Sequence, residues 1–191
     1  MLNLHSIEPI SEIYGPSKRF VIWTQGCSLN CKGCWNKETW SFKDNLLYSP
    51  DDLLDLILKY KNEIEGITIL GGEPLFQKED LLKFVKLIKK KTNLTIMLYT
   101  GFEKNEFTIK DKEIISYIDI LIAGRYIDEE RSIFLTWRGS QNQKIEFITN
   151  KYTEKDIPKP SNMLEIDINE DGSVKLMGYP DQEFIKLFKN F

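Results

Sequence analysis

Three cysteines carry the most specific chemistry in this sequence. Cys27, Cys31 and Cys34 form a C-x₃-C-x₂-C run, and the chain of 191 residues has no other cysteine. Thiols grouped so tightly, and in odd number, make a poor disulfide framework. Soft thiolates instead select iron–sulfur clusters, zinc or cuprous copper. Electron-transfer clusters generally take four cysteines. A four-iron, four-sulfur (4Fe-4S) cluster held by three leaves one iron with open coordination. A structural zinc site is the competing reading, with His5, the only histidine, as its fourth ligand. Zinc sites more often arrive as two paired knuckles, which this spacing lacks.

Further polar and glycine-rich segments recur at the ends of apolar runs: Gln25-Gly26-Cys27, Gly71-Gly72-Glu73-Pro74, Thr100-Gly101 and Gly124-Arg125. The runs before them read as strands. Arg19–Thr24 is β-branched and aromatic, and residues 66–70, 94–99 and 118–122 follow the same pattern, with 145–148 and Leu164–Ile168 as a fifth and sixth. Helices are expected between them. Ser49 can cap a helix that starts at Pro50 and buries Leu53, Leu54, Ile57 and Leu58. A second runs over 79–91 with Leu81, Phe84, Val85 and Ile88 inward, and a third covers 111–117. Lys89-Lys90-Lys91 complements the negative end of the second helix rather than marking a nucleic-acid patch.

Strand–helix repetition with such crossovers implies parallel pairing. The expected fold is α/β, a single-domain, incomplete (βα)6 TIM-like barrel. Residues 1–191 form one domain, with a core over about 15–150 and a C-terminal extension over 151–191. In that extension a turn at Glu170-Asp171-Gly172-Ser173 joins two short strands, and a last amphipathic helix covers 181–188 with Phe184, Leu187 and Phe188. Ligands of such sheets bind where loops leave the carboxyl ends of strands, and all four polar segments fall there.

Composition is ordinary for a globular chain, at 41% hydrophobic and 29% charged residues. A net charge of −3 gives no reason to expect a nucleic-acid or membrane surface. No signal peptide or spanning segment is visible, so a cytoplasmic location is expected.

Taken together, C-x₃-C-x₂-C after one strand and Gly-Gly-Glu-Pro after the next resemble the radical S-adenosylmethionine superfamily. The likeness is tighter to its glycyl-radical activating enzymes, especially the activase of anaerobic ribonucleotide reductase. It is carried by residues 15–19, by the cluster loop through Trp35 and Trp40 with Gly33 before the last cysteine, by residues 119–125, and by Trp137-Arg138-Gly139-Ser140-Gln141-Asn142-Gln143. The resemblance implies a 4Fe-4S cluster on Cys27, Cys31 and Cys34 that reductively cleaves S-adenosylmethionine to a 5′-deoxyadenosyl radical. It further implies a glycyl-radical enzyme as partner, with anaerobic ribonucleotide reductase foremost, and flavodoxin or ferredoxin as electron donor. No side chain is assigned a catalytic role beyond the cluster.

By the same resemblance Gly71 and Gly72 let the backbone approach the methionine moiety, where on their own they could only form a tight turn, and Glu73 or nearby carbonyls could accept from its ammonium group. Gly33 and Trp35 border the adenine. Thr100 could bond the ribose or carboxylate, or only end its strand. Arg125 could pair with the cofactor carboxylate, or form a surface ion pair. Residues 137–143 could shape the site, or only satisfy their own backbone. Two departures leave room for another substrate: Ala123 replaces a usual acidic residue, and the 151–191 extension exceeds the compact pattern. A radical enzyme acting on a peptide or small molecule is the alternative function. A binding module with a structural metal is the third.

Overall fold

A computed structural model describes residues 1–159, 163–168, 170–181, 183–184 and 186. Leu187 and Phe188 of the expected last helix lie outside them. Seven strands form one mixed sheet: β1 (Leu2–Ser11), β2 (Arg19–Thr24), β3 (Leu46–Tyr48), β4 (Gly66–Gly71), β5 (Thr95–Thr100), β6 (Ile120–Ala123) and β7 (Lys144–Phe147), in the lateral order β3-β1-β2-β4-β5-β6-β7. Strands β8 (Leu164–Ile168) and β9 (Val174–Gly178) form a separate antiparallel hairpin.

Strands β2, β4, β5 and β6 run parallel. Their crossovers carry helices α1 (Pro50–Leu58), α2 (Lys78–Lys91) and α3 (Ile109–Ile115). Ser49 Oγ accepts from the Asp52 amide at 3.1 Å to start α1, a cap worth about 1 kcal/mol. Thr108 and Asp111 form a reciprocal capping box at the start of α3. At the end of α2, Lys89 pairs with the buried Asp119, which also accepts from the Ile96 amide at 2.8 Å. The lysine run therefore has a structural partner.

Alternation along the strands separates two faces. Phe20, Ile22, Ile67, Ile69, Ile96, Leu98 and Leu121 pack against all three helices in one buried cluster. Each such side chain stabilises the fold by roughly 1.5–3 kcal/mol when fully buried. Residues of opposite parity, Val21, Trp23, Leu70, Met97, Ile120 and Ile122, form two smaller clusters on the other face.

The parallel series ends at four strands rather than continuing to six. Strand β7 pairs antiparallel with β6, Ile122 opposite Ile145, and β8 pairs with β9 instead of joining the sheet. Residues 124–143 contain no α-helix, so nothing carries the chain back across the sheet. It turns at the carboxyl end and returns beside β6, which forces antiparallel pairing. Strand β1, which is not among the strands expected from the sequence pattern, is the longest. Only Leu2 and Leu4 announce it by alternation, and Pro9 obscures it. Pro9 is tolerated because β3 covers β1 only over Leu2, Asn3 and Leu4, and a register shift lies between Glu8 and Ser11. Among the described residues no helix is long and apolar enough to cross a membrane.

Arg19 locks the amino ends of the parallel strands. Its guanidinium is 0% exposed. Nε donates to Thr68 Oγ1 at 2.7 Å, Nη1 to Thr95 Oγ1 at 3.1 Å, and Nη2 to the Ile67 carbonyl at 2.6 Å. One side chain on β2 thus reaches β4 and β5. Arg19→Met leaves several buried groups short of a partner and is expected to cost about 2–4 kcal/mol, read as a lower urea midpoint. Arg19→Lys should recover only part, because one ammonium cannot span three strands as the fork does.

Candidate active site

Loops leaving β2, β4, β5 and β6 open into one cavity of about 280 Å³. Its geometry begins with backbone. The Gly72 amide donates to the Thr24 carbonyl at 2.8 Å and the Glu73 amide to the Gly26 carbonyl at 3.0 Å. A side chain on Gly72 would place Cβ 2.5 Å from the Gly26 oxygen, and Gly71 has φ of 106° with Thr24 nitrogen 2.6 Å from the same ideal position. No other residue fits either place. The turn after β4 is thereby pressed against the start of the cysteine loop.

That loop is anchored at both ends. The Gly26 amide donates to Thr39 and the Cys27 amide to Trp40, at 2.7 and 3.1 Å, while Cys34 N–H closes a turn onto the Cys31 carbonyl. All three cysteines are free, half-buried and on the cavity wall. Burial pushes the Cys27 and Cys31 thiols up, while backbone amides of Leu29 and Tyr126 directed at the sulfurs oppose it. Three soft donors line one cavity, the donor set that a cluster with one open iron takes, although among the described residues no three such side chains are already gathered closely enough to hold a metal ion. His5 lies away from this wall, its Nδ1 3.0 Å from Gln25 Oε1.

Glu73 is the buried charge of the site, 1% exposed. It accepts from the Gly101 amide at 2.7 Å, the Leu75 amide at 2.9 Å and Thr100 Oγ1 at 2.9 Å. Burial pushes its carboxyl up to about 7, against the pull of those three donors. Thr100 lines the cavity, but its hydroxyl is spent on Glu73.

The remaining expected residues divide. Trp35 is on the wall, 40% exposed, with its ring edge-on to Tyr179 at 5.7 Å. Gly33 is not on the wall: a Cβ there would meet Asp128 Oδ1 at 2.3 Å. Arg125 is not on the wall either. It makes a bidentate pair with Glu106 at 2.6 and 2.8 Å. Ala123 is buried on the helix side of β6, away from the cavity.

Residues 137–143 do two things at once. Gln143 Oε1 accepts from the Gly139 and Ser140 amides, and its Nε2 donates to the Gly124 carbonyl. Asn142 donates to the Arg125 carbonyl. The loop satisfies its own backbone and, in doing so, holds Trp137, Arg138, Gly139 and Gln143 on the cavity wall.

The β8–β9 hairpin of the C-terminal extension packs on the same domain and adds wall residues that the sequence does not single out. Met177 is buried against Val21, Trp23 and Leu70. Ser11 Oγ and the Glu12 amide donate to Glu165, both at 2.6 Å, and the Gly178 amide donates to Tyr14 Oη at 3.0 Å. Met163, Gly178 and Tyr179 thereby enter the wall. Tyr179 donates to Tyr126, which donates to Asp128, and Arg131 stacks over the Tyr179 ring at 4.4 Å.

The 4Fe-4S single cluster domain family matches residues 13–146. Three anaerobic ribonucleoside-triphosphate reductase-activating proteins are similar to the chain. That of Haemophilus influenzae is 34% identical, covering 75% of this chain and 97% of that protein. Those of Vibrio cholerae and phage T4 are 32% and 31% identical, covering 78% and 75% of this chain and 99% and 93% of theirs. The structure of QueE from Escherichia coli overlaps 52% of each chain at 22% identity, with a TM-score of 0.41.

Glu73 gives the site a pH signature. The folded state holds its proton near 7 and the unfolded state near the ordinary 4.5. Stability from this group is therefore complete below about 4.5 and falls as pH rises to about 7, by roughly 3 kcal/mol. Glu73→Gln should flatten that slope between pH 4.5 and 7, measured by urea unfolding. It should also lower stability at acid pH, where the wild-type carboxyl is neutral and an amide nitrogen cannot accept from Gly101.

Proposed function

From the premise that this chain belongs to the 4Fe-4S single cluster domain family and to the anaerobic ribonucleoside-triphosphate reductase-activating proteins, we propose that it generates a glycyl radical on an anaerobic ribonucleotide reductase. The observation that carries this reading is the meeting of three free cysteines and the Gly71-Gly72-Glu73 turn on one cavity. Cys27, Cys31 and Cys34 hold the cluster. When bound, the cluster supplies one electron that cleaves S-adenosylmethionine to methionine and a 5′-deoxyadenosyl radical, which takes a hydrogen atom from the partner's glycine.

The protein's own residues bind, orient and shield. Gly71 and Gly72 bring backbone to the methionine end, and the Glu73 carboxylate accepts from its ammonium group. Thr100 works through Glu73 by fixing its carboxylate. Trp35, Trp137 and Tyr179 keep water from the reacting atoms. Gly33 acts indirectly, by letting the cysteine loop close on Asp128. The electron comes from flavodoxin or ferredoxin.

We also read the sheet as a partial barrel. Its support is that α1, α2 and α3 share one face and the parallel strands follow chain order, the winding of a barrel rather than of a doubly wound sheet.

The hairpin residues on the wall favour one second reading, a radical enzyme acting on a peptide or small molecule. Anaerobic, cluster-loaded protein, incubated with reductant, S-adenosylmethionine and its candidate reductase, should give a glycyl-radical signal by electron paramagnetic resonance. Cys27→Ser, Cys31→Ser or Cys34→Ser should abolish it together with most of the bound iron. Steady deoxyadenosine release on a small substrate, with no signal on any candidate reductase, would establish the second reading instead.

A further inference from the structure

The β8–β9 hairpin lies beyond residue 146, where the 4Fe-4S single cluster domain match ends. What it adds to the cavity therefore comes from outside the region that carries the cysteine loop and the Gly71-Gly72-Glu73 turn. The addition is firmly held. Besides the bonds to Ser11, Glu12 and Tyr14, Lys175 pairs with Glu8 at 2.5 Å, and the Arg131 guanidinium donates to the Pro180 carbonyl at 2.8 Å. Gly178 has φ of 105°, and a Cβ there would sit 2.7 Å from the Met163 carbonyl. Glycine lets the end of β9 close on the residue before β8, which fixes Met163 at the cavity.

Around Met163 the wall is apolar. Ile13 meets Met163 at Gly178, the ideal Cβ position lying 3.2 Å from Ile13 Cδ1. Ile133 and Leu135 join them on the wall. Thr136 Oγ1 donates to the Pro158 carbonyl at 3.0 Å and so ties that segment to the chain leading into the hairpin. The polar groups on this stretch of wall are engaged. The Thr136 hydroxyl is spent on Pro158, and the Glu12 carboxylate faces Lys18 at 3.6 Å. Met163 itself is 42% exposed, so a ligand can reach it. A lip of four apolar side chains with no unpaired charge suits an apolar group.

A glycine that gives up a hydrogen atom has no side chain of its own, so one glycine is told from another by its neighbours. We propose that this lip receives an apolar side chain flanking the target glycine of the partner, which makes the hairpin a specificity element. The assignment rests on the glycyl-radical reading above and deepens it. It names the class of segment the cavity accepts: a glycine beside aliphatic residues rather than beside polar or charged ones.

The test gives anaerobic, cluster-loaded protein dithionite, S-adenosylmethionine and one of two blocked pentapeptides. Each peptide has a central dideuterated glycine, flanked on both sides by leucine in one and by serine in the other. The readout is deuterium transferred to 5′-deoxyadenosine. Wild type should favour the leucine peptide in kcat/KM by roughly 10-fold or more, the discrimination that burial of one aliphatic side chain supports. Met163→Asp should cut this preference to about twofold, and Met163→Leu should keep it. Ile133→Asp should act like Met163→Asp and serves as the second variant if the first folds poorly. The ratio of two peptides on one protein does not move with its iron content, so a merely structural loss leaves it unchanged. No preference in wild type, or one that survives both aspartate variants, would overturn the proposal. So would wild-type protein that places a radical on the reductase yet marks neither peptide, because recognition would then lie away from the glycine's neighbours. Deoxyadenosine from neither the peptides nor the reductase would overturn the glycyl-radical reading itself, which is a separate failure.

Discussion

Everything at the carboxyl end of this sheet depends on one close approach, that of the Gly71–Gly72 backbone to the backbone of Thr24 and Gly26. The two hydrogen bonds across it set where the cysteine loop leaves β2 and where Glu73 enters its pocket. Any Cβ at Gly72 would sit 2.5 Å from a carbonyl oxygen that cannot move without moving Cys27. The cysteine loop and the turn that carries Glu73 are therefore coupled through main chain rather than through flexible side chains. Main-chain coupling of this kind holds geometry to a few tenths of an ångström, which is what preorganised chemistry requires.

A second constraint closes the ring from the other side. Residues 124–143 lack an α-helix, so the chain cannot recross the sheet, and they fold instead into a loop knitted by Ser140, Asn142 and Gln143. This loop ends the parallel series and brings Trp137 and Arg138 onto the wall of the cavity that Glu73 also lines. The same residues explain both the antiparallel β7 and the composition of the cavity wall. Topology and site are here one fact.

Much of this was legible in the sequence, for identifiable reasons. The strands β2, β4 and β5 are dense in β-branched and apolar residues because both their faces are buried. Helix α1 carries a cap, and α1 and α2 both show one-sided apolar spacing. The cysteine run and Gly-Gly-Glu announce themselves because chemistry and backbone geometry admit so few alternatives. What stayed hidden depends on pairing across long separations. Strand β1 buries only Leu2 and Leu4 clearly, and its Pro9 reads as a breaker until β3 is known to stop short of it. Arg125 and Arg138 look equivalent as letters, and what tells them apart is Glu106, paired with the first, while among the described residues no acid pairs with the second. Tyr179 lies far along the chain from Trp35, and no local pattern predicts their contact.

Glu73 shows how the site and the fold trade against each other. A carboxyl buried this completely costs stability at neutral pH, and its three donors only partly offset that cost. The fold accepts the cost because Arg19 and the helix-side core stabilise the opposite end and face of the same strands. A cation placed against Glu73 would favour its ionised form and offset part of that cost, whereas an uncharged ligand of the same shape would leave it in place.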